Sequence, residues 1–520
     1  MRLTRAAATA ATLSMLAAIV AGCGVGPSDR PAVAVERPGS GGAVQPGPDA
    51  PTNAKAEKPK TDLAWRDCTT TTLNSLDLGA PPAGLVLECA DFATPIDAAG
   101  SVIGTFHAAA MRARLPQTPV DAPPLVLTSG ADRSSGSTLA GLAIGRNTAL
   151  LAAQPVVAVD RRGIGASQPI DCIPAQLRAV MSDLGQTGVG SNDPVAAVAK
   201  YSQDATIACR DFLQPYEGTF DATHAADDLE QLRKQWQVDK INLLGSGNGG
   251  KVALSYARRY GDHLARLVLD APQPVASDAV TVAEAQVTGA EAALTAFAQR
   301  CKAINCALGA DPRATVTSLM GKATANQLGD ISAADLSTAL TGFLSSPRAD
   351  QADRVPVLAD ALAAADRGDR GPLSAIVTRE TAAINSDGEF VNRCTDSLQA
   401  PPQERARELA TTWATKYPVF GRDAAIRLML CSAWPVSTAP PLPSDLKMPV
   451  LVFAGAADPV VGGAAASVTG ALGVAGATHA TMTWQGWGHP VAAHSGCAQQ
   501  VLTTYLADAK LPSDGGACPA

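Results

Sequence analysis

A ten-residue stretch near the middle of the chain, INLLGSGNGG from Ile241 to Gly250, constrains the fold more than any other part of the sequence. It opens with a short, mostly apolar run of the kind that forms a buried strand, and four of its last six residues are glycine. From Lys251 to Tyr260 the apolar residues then recur at helical spacing. A strand, a tight glycine turn and a helix in direct succession predict an α/β protein with this turn at the carboxyl end of a central strand.

Short apolar runs that end in turns lie on both sides of this stretch and indicate further strands. They are Leu85 to Cys89, Ser101 to Ala110, Pro124 to Thr128, Pro155 to Val159, Leu264 to Leu269, Pro449 to Phe453 and His479 to Trp484. Helical segments separate several of them, among them Leu229 to Trp236 directly before the central strand. Because strands of this kind are buried on both faces by the helices, we expect a doubly wound, mostly parallel sheet.

Composition divides the chain into segments of different character. Asp278 to Pro440 is rich in Ala and Leu at helical spacing, which predicts a helical lid inserted over the ends of the strands. The predicted division is a signal peptide over residues 1–22, a tether rich in Pro and Gly over 23–62, a first part of the core over 63–275, the lid over 276–440 and a second part of the core over 441–520. The tether shows no apolar periodicity, so we expect a flexible spacer there.

The N-terminus carries the features of an export signal. Arg2 and Arg5 precede an apolar run from Ala6 to Ala21 that is shorter than a comfortable membrane span. The run ends in VAGC, which closes at Cys23 and resembles a bacterial lipobox, whose cysteine becomes a lipid anchor. An ordinary signal peptide cut near the same place is the alternative. Both interpretations place the protein outside the cytoplasm, either anchored to the cell membrane or secreted.

Cysteine usage and net charge narrow the class of protein further. The chain has 11 cysteines, and assigning Cys23 to the lipid leaves an even number, which is typical of an oxidising compartment. No C-x-x-C pair is present, which argues against a zinc site. We expect neither a metal nor a cofactor. The sequence leaves the pairing open, and joining nearest neighbours gives Cys68–Cys89, Cys172–Cys209, Cys301–Cys306, Cys394–Cys431 and Cys497–Cys518. The net charge of −7 argues against a nucleic-acid partner.

Three positions have the order and context of an acyl-transfer centre, which needs a nucleophile, a histidine base and a carboxylate that orients the base. Asp458 follows the apolar run Pro449 to Phe453, and His489 follows the run that ends at Trp484. Both are therefore expected at the same edge of the sheet as the glycine turn. At the position where a G-x-S-x-G turn would hold its serine, this chain has Gly247.

The wider sequence resembles the secreted, often lipid-anchored actinobacterial α/β-hydrolases typified by tripeptidyl aminopeptidases. The likeness extends from Trp65 to Cys518 and rests on several motifs in a fixed order. They are DRRGIGAS from Asp160, ADDLEQLR from Ala226, RLVLD from Arg266, CSAWP from Cys431 and the C-terminal segment from Tyr505 to Cys518. The resemblance implies a doubly wound sheet with a helical lid, and cleavage of short peptides from free N-termini through Ser, Asp and His.

Two departures from the family pattern bear on activity. Gly247 has no side chain and can form no acyl-enzyme. The family's H-G-G-P-G loop is here SGADR from Ser129, in which Asp132 would put negative charge where an oxyanion develops. The residues expected on the oxyanion side are Gly130, Ala131 and Asn248. We therefore predict a centre that is inactive or strongly impaired as a serine peptidase.

The sequence leaves two alternatives open. Ser246 could serve as the nucleophile of a shifted turn, although its hydroxyl is expected to face the sheet or the local backbone. The stretch also fits G-x-G-x-x-G through Gly245, Gly247 and Gly250, with Asp270 near the place of a ribose-binding acid. The position of this motif deep in the chain and the export signal argue against dinucleotide binding.

The predicted lid offers candidates for substrate recognition. An exopeptidase that holds the ammonium group of its substrate needs a carboxylate, and the lid contains Glu284, Glu291, Asp387 and Glu389. For each of them a solvated helix face is the favoured interpretation, and none stands out as the anchor. The expected ligand is a peptide or a small ester-like molecule in the cleft, and the lipid anchor is the only expected membrane contact. The oligomeric state does not follow from the sequence.

Overall fold

The computed structural model describes residues 55–131, 133–145, 147–188, 192–275, 278–346, 354–384, 386–436, 442–463 and 465–520. Cys23, the predicted signal peptide and most of the predicted tether lie outside these ranges, as does Asp132. The end of the predicted tether already contacts the core, since the backbone N–H of Lys60 donates to the carbonyl of Trp236 at 2.9 Å. Contacts with the core therefore begin a few residues before the predicted boundary.

The strands of the described chain form one ten-stranded sheet in the order β1-β2-β3-β5-β4-β6-β7-β8-β9-β10. Their bounds are β1 (Arg66–Asp67), β2 (Val86–Pro95), β3 (Thr105–Arg114), β4 (Leu125–Thr128), β5 (Val156–Val159), β6 (Ile241–Ser246), β7 (Leu264–Asp270), β8 (Val450–Ala457), β9 (His479–Trp487) and β10 (Gly516–Cys518). The pairs from β1 to β5 along this order are antiparallel, and all the others are parallel. The prediction of a mostly parallel, doubly wound sheet is confirmed.

Apart from the first, which lies between β1 and β2, the α-helices of the described chain lie between the strands from β4 onward, and the longest run of helices separates β7 from β8. Their bounds are α1 (Thr69–Ser75), α2 (Ser135–Ala143), α3 (Ala149–Ala153), α4 (Ala175–Ser182), α5 (Pro194–Leu213), α6 (Ala222–Trp236), α7 (Gly249–Tyr260), α8 (Ala279–Ala303), α9 (Pro312–Thr324), α10 (Ala333–Ser345), α11 (Val355–Asp366), α12 (Gly371–Ile384), α13 (Asp387–Thr395), α14 (Gln403–Lys416), α15 (Gly421–Arg427), α16 (Ala465–Val474), α17 (Val491–His494) and α18 (Gly496–Asp508). Helices α8 to α15 occupy the region where the sequence predicts a lid.

Helices cover both faces of the parallel strands. Neighbouring residues of a strand point to opposite faces, so β6 contributes to two separate cores. On one face Leu243 packs into a cluster that contains Trp236 of α6 and Tyr256 of α7. On the other face Leu244 packs into a cluster that contains Tyr505 of α18. Strand β6 is thus held from both sides, and the turn at its end has a fixed position.

The helices between β7 and β8 have a hydrophobic core of their own. Phe297 of α8, Leu340 of α10 and Trp413 of α14 belong to one buried cluster. The same cluster includes Ala457 at the end of β8 and Trp487 at the end of β9. These helices therefore pack directly on the strand ends that carry the predicted acid and histidine.

The structure contains the five disulfides that nearest-neighbour pairing predicts. They are Cys68–Cys89, Cys172–Cys209, Cys301–Cys306, Cys394–Cys431 and Cys497–Cys518. None of the described helices combines the length and the apolarity that crossing a bilayer requires.

Candidate active site

The turn between β6 and α7 has the geometry of a nucleophile elbow. Gly247 lies between the last residue of the strand and the start of the helix, with a φ of +55°. Its backbone N–H donates to the carbonyl of Asp270 at 3.1 Å, and its carbonyl accepts from the N–H of Gln273 at 3.0 Å. A positive φ costs a residue with a side chain about 1–2 kcal/mol. Glycine thus occupies, without that cost, the sharp strand-to-helix turn where hydrolases of this fold present a serine.

The glycine after the elbow is required by close packing. A Cβ at Gly249 would overlap the carbonyl oxygen of Thr128 at the end of β4. Helix α7 therefore starts in contact with the backbone of the neighbouring strand, and only glycine permits that approach. This frame glycine of the predicted motif is explained by packing alone, independently of any chemistry at position 247.

Asp458 and His489 form a buried pair at the carboxyl ends of β8 and β9. The Nδ1 atom of His489 lies 2.8 Å from Oδ2 of Asp458, and the two side chains are 4% and 0% exposed. The other carboxylate oxygen accepts the backbone N–H groups of Val460 and Val461 at 2.8 and 2.9 Å. A histidine that donates Nδ1–H to a carboxylate keeps Nε2 as its basic nitrogen, which is the arrangement in a Ser-His-Asp triad.

Asp270, at the end of β7, connects the elbow to the histidine loop. Its carbonyl receives the N–H of Gly247, and its carboxylate accepts the N–H groups of Val491 and Ala492 at 2.9 and 3.0 Å. Burial raises the pKa of this carboxyl to about 6, although the nearby His489 and the two N–H donors favour the charged form. Each carboxylate oxygen accepts a backbone N–H of the protein, so Asp270 is not placed to bind a ribose. The dinucleotide alternative therefore lacks its ribose-binding carboxylate.

On the oxyanion side, Ala131 and Asn248 contact each other. The backbone N–H of Ala131, one of the predicted donors, donates to Oδ1 of Asn248 at 2.8 Å. The same oxygen lies 3.3 Å from a guanidinium nitrogen of Arg161, and the Asn248 amide nitrogen donates to Gln273 at 3.0 Å. An oxyanion is stabilised by N–H groups that point at it, so a side chain that accepts one of these N–H groups removes part of that stabilisation.

Gly130 lies directly against the backbone of Asn248 and Gly249.

Ser246 is in the wrong environment to replace the missing nucleophile. The residue is 1% exposed, and its hydroxyl forms no hydrogen bond with any described residue, His489 included. Activation of a serine requires a base within hydrogen-bond reach. The predicted orientation toward the sheet explains the burial, but not the missing hydrogen-bond partner.

Two of the sequence motifs bind each other instead of a ligand. The guanidinium of Arg162, from DRRGIGAS, forms a bidentate pair with Asp228, from ADDLEQLR, at 2.9 and 2.7 Å. Asp160 of the first motif accepts the backbone N–H groups of Gly136 and Ala166 at 3.0 Å each. These residues hold the loop after β5 in place, a role that the sequence order alone did not reveal.

A cleft of about 350 Å³ lies between the elbow and the lid helices. Ala131, Asn248 and Gln273 line it on the core side, and residues of α8 and α10 line it on the lid side. The volume suits a small organic molecule. Within the described chain, no three His, Cys, Asp or Glu residues are grouped so that they could hold a metal ion.

The four lid carboxylates proposed from the sequence do not line this cleft. Glu284 pairs with Lys416 at 2.8 Å, and Glu291 pairs with Arg313 and accepts the N–H groups of Val419 and Phe420. Asp387 pairs with Arg178 and also accepts the backbone N–H groups of Cys172 and Ile173. Glu389 belongs to the capping box of α13. The structure therefore does not place any of them as an ammonium anchor, because internal contacts use all four.

Comparison with known proteins agrees with this geometry. Residues 144–324 match the family model described as alpha/beta hydrolase fold, and residues 417–518 match the model described as TAP-like protein. The first range contains the elbow, and the second contains Asp458 and His489. The chain has the α/β-hydrolase fold, and its C-terminal part is similar to TAP-like proteins. No curated protein matches the sequence.

Similar solved structures include three hydrolases. A serine hydrolase from Cycloclasticus zankles is 14% identical, with 81% of this chain and 98% of that chain covered and a TM-score of 0.37. An epoxide hydrolase from an endophytic Streptomyces is 17% identical, with coverages of 84% and 100% and a TM-score of 0.35. A thermophilic esterase from Thermogutta terrifontis is 14% identical, with coverages of 80% and 98% and a TM-score of 0.34.

Proposed function

We propose that this protein is an exported relative of the tripeptidyl aminopeptidases that has lost serine-peptidase activity and uses its cleft to bind a ligand. The ligand class is a peptide or a small ester-like molecule. The observation that carries this proposal is the glycine at the elbow, beside an intact, buried Asp458–His489 pair. A centre with an oriented base and no nucleophile cannot form a covalent intermediate.

The state of the oxyanion side supports the same conclusion. A single oxyanion donor is worth about 10²–10³ in rate, and here the N–H of Ala131 is engaged by Asn248. Direct activation of water by His489 would lack both the covalent step and this donor. We expect any such hydrolysis to be slower than serine catalysis by many orders of magnitude.

Export and anchoring are part of the proposal. All ten cysteines after Cys23 form disulfides, which persist in oxidising compartments and are rare in the cytosol. The lipobox-like sequence would attach the protein to the membrane through Cys23. The test is cell fractionation with the native chain and the Cys23→Ser variant. We expect the native chain in the membrane fraction, and retention of the variant there would contradict lipid anchoring.

The second candidate is an active hydrolase that uses Ser246. The observation in its favour is the unpaired hydroxyl of this residue, one position from the elbow. For catalysis the turn would have to shift so that the hydroxyl leaves the sheet and reaches His489.

A fluorophosphonate probe separates the two functions, since it modifies only activated serines. We expect no covalent labelling of the native protein and no hydrolysis of aminoacyl-type substrates. Labelling that disappears in Ser246→Ala would overturn the proposal in favour of the second candidate.

A further inference from the structure

The two lid helices that line the cleft give it walls of different chemistry. The face of α10 presents the hydroxyl groups of Ser337, Thr338, Thr341 and Ser345, which recur at helical spacing. The residues of α8 that line the cleft are apolar except for Gln286: Ala279, Val282, Ala283, Val287 and Ala290. A ligand in this cleft therefore meets one polar wall and one apolar wall.

The charged side chains of the cleft are mostly basic. The described residues that line it include the cations Arg133, Lys251, Arg393 and Arg427 and a single carboxylate, Asp396. That carboxylate already accepts a guanidinium N–H of Arg161 at 2.7 Å and the backbone N–H of Ala222 at 2.9 Å. It is 3% exposed in its side chain, so it offers little to a ligand.

The arginines of the cleft differ in whether a carboxylate of the protein offsets their positive charge. Arg427 donates to the hydroxyl of Thr338 at 3.0 Å and lies near Asp423, which offsets its charge. Arg133 donates to the hydroxyl of Ser345 at 2.7 Å and forms no ion pair with a described residue. Arg393 likewise forms no ion pair in the described chain. Arg133, which is partly buried, and Arg393, which is exposed, thus line the cleft without a carboxylate partner among the described residues.

We propose that the cleft binds an organic anion, a carboxylate attached to an apolar body, and not the ammonium group of a peptide N-terminus. Guanidinium groups form strong, charge-assisted hydrogen bonds with carboxylates, and the α8 wall can cover the apolar part. Among the described lining residues, an ammonium group would meet four cations and only the buried, already paired carboxylate of Asp396. The inference rests on the proposed function in one respect, that the cleft is the ligand site.

Two sources of ligand share this chemistry, a fatty acid and the C-terminus of a peptide with apolar side chains. Calorimetric titration of the purified full chain with octanoate, octanol and octylammonium tests the charge preference at constant shape. N-acetyl-leucyl-leucine and leucyl-leucine amide then test a peptide carboxylate against a peptide ammonium. The matched variants are Arg133→Met with Arg393→Met in the cleft, and Arg405→Gln on the exposed surface of α14 as control.

The expected result is that at least one carboxylate probe binds and its matched counterparts do not. The counterparts are octanol and octylammonium for octanoate, and leucyl-leucine amide for N-acetyl-leucyl-leucine. The double variant should weaken that binding by about tenfold or more, and Arg405→Gln should leave it unchanged. Tighter binding by octanoate or by the acetylated dipeptide identifies the source. Equal or tighter binding of octylammonium or leucyl-leucine amide, unchanged affinity in the double variant, or no binding of either carboxylate would overturn the inference. Fluorophosphonate labelling of the native chain would defeat the proposed function separately, since these titrations do not depend on catalysis.

Discussion

At position 247 the backbone φ is +55°, a conformation that glycine adopts freely and that strains any residue with a side chain. Hydrolases of this fold accept that strain in order to expose a serine above the sheet. Gly247 adopts this conformation without strain, but it has no hydroxyl group to present. Asp458 and His489 nevertheless form a buried pair, with Nδ1 of the histidine 2.8 Å from the carboxylate.

The side chain of Asn248 accepts the N–H of Ala131, one of the predicted oxyanion donors. In a Gly247→Ser background, Asn248→Ala should raise the rate of fluorophosphonate labelling by about tenfold or more, because it releases the N–H of Ala131. The rate is measured by mass spectrometry of the intact protein. Gln273→Ala is the control, since it removes a different partner of the Asn248 side chain and leaves the Ala131 contact in place. Equal rates in the two double variants would show that this N–H does not limit the reaction.

Asp270 should make stability depend on pH. Its folded pKa of about 6 lies above the ordinary value of 3.8, so the folded state holds this proton more tightly than the unfolded state. Its contribution to stability is complete below pH 4 and is lost as the pH rises to about 6. The loss is about 3 kcal/mol. Urea unfolding of the native chain and of Asp270→Asn between pH 4 and 6 measures it, and parallel pH profiles would contradict the assignment.

At the scale of elements, the apolar runs predicted β4 to β8, because burial on both faces leaves a clear pattern. The runs predicted for β2 and β3 overlap those strands but end before them, because both strands alternate buried and exposed residues. The edge strands β1 and β10 are only two and three residues long, and no periodicity can indicate them. They exist because Arg66 pairs with Cys89 and Cys518 pairs with Trp484 across the sheet, and a disulfide joins each edge to its neighbouring elements. Such strands depend on partners that are distant in the chain.

The candidate site was predictable to a similar extent. The order of the motifs indicated Asp458 and His489, since residues that follow parallel strands meet at one edge of the sheet. The contact between Ala131 and Asn248 joins positions 117 residues apart and depends on the exact approach of two loops. The occupied carboxylates of the lid, such as Glu291, likewise required knowledge of their partners.

The start of α7 gives a prediction at this scale. Gly249→Ala should lower the free energy of unfolding by about 3 kcal/mol or more, because its Cβ would overlap the Thr128 carbonyl and push the helix away from β4. Denaturant unfolding measures the change. Gly261→Ala, at the end of the same helix with φ −56° and open space around it, should cost almost nothing. Similar losses in the two variants would contradict this packing argument.

At the scale of the whole molecule, α13 attaches the lid to the core. The side-chain amide of Asn392 donates to the carbonyl of Arg162 at 2.7 Å. Arg178 pairs with Asp387 at 2.9 Å, and Arg161 pairs with Asp396 at 2.7 Å, just beyond the end of the helix. The lid is thus joined to the same loop after β5 that supports the oxyanion side.

Breaking the last of these pairs should destabilise the protein. Arg161 and Asp396 are 1% and 3% exposed in their side chains, and removal of one partner leaves the other charge buried. We expect Asp396→Ala to cost about 3–5 kcal/mol in urea unfolding. Asp366→Ala, which breaks the half-exposed pair with Lys322, should cost less than about 1 kcal/mol. Equal costs would mean that the buried pair does not hold the lid.

The most direct measurement is the rate at which a fluorophosphonate modifies position 247 in the Gly247→Ser variant, beside the native chain. We expect no modification of the native chain, modification of the variant at the new hydroxyl, and a loss of about a hundredfold or more in that rate when His489→Ala is added. Covalent modification of the native chain at Ser246, or a Gly247→Ser variant whose modification does not depend on His489, would contradict it.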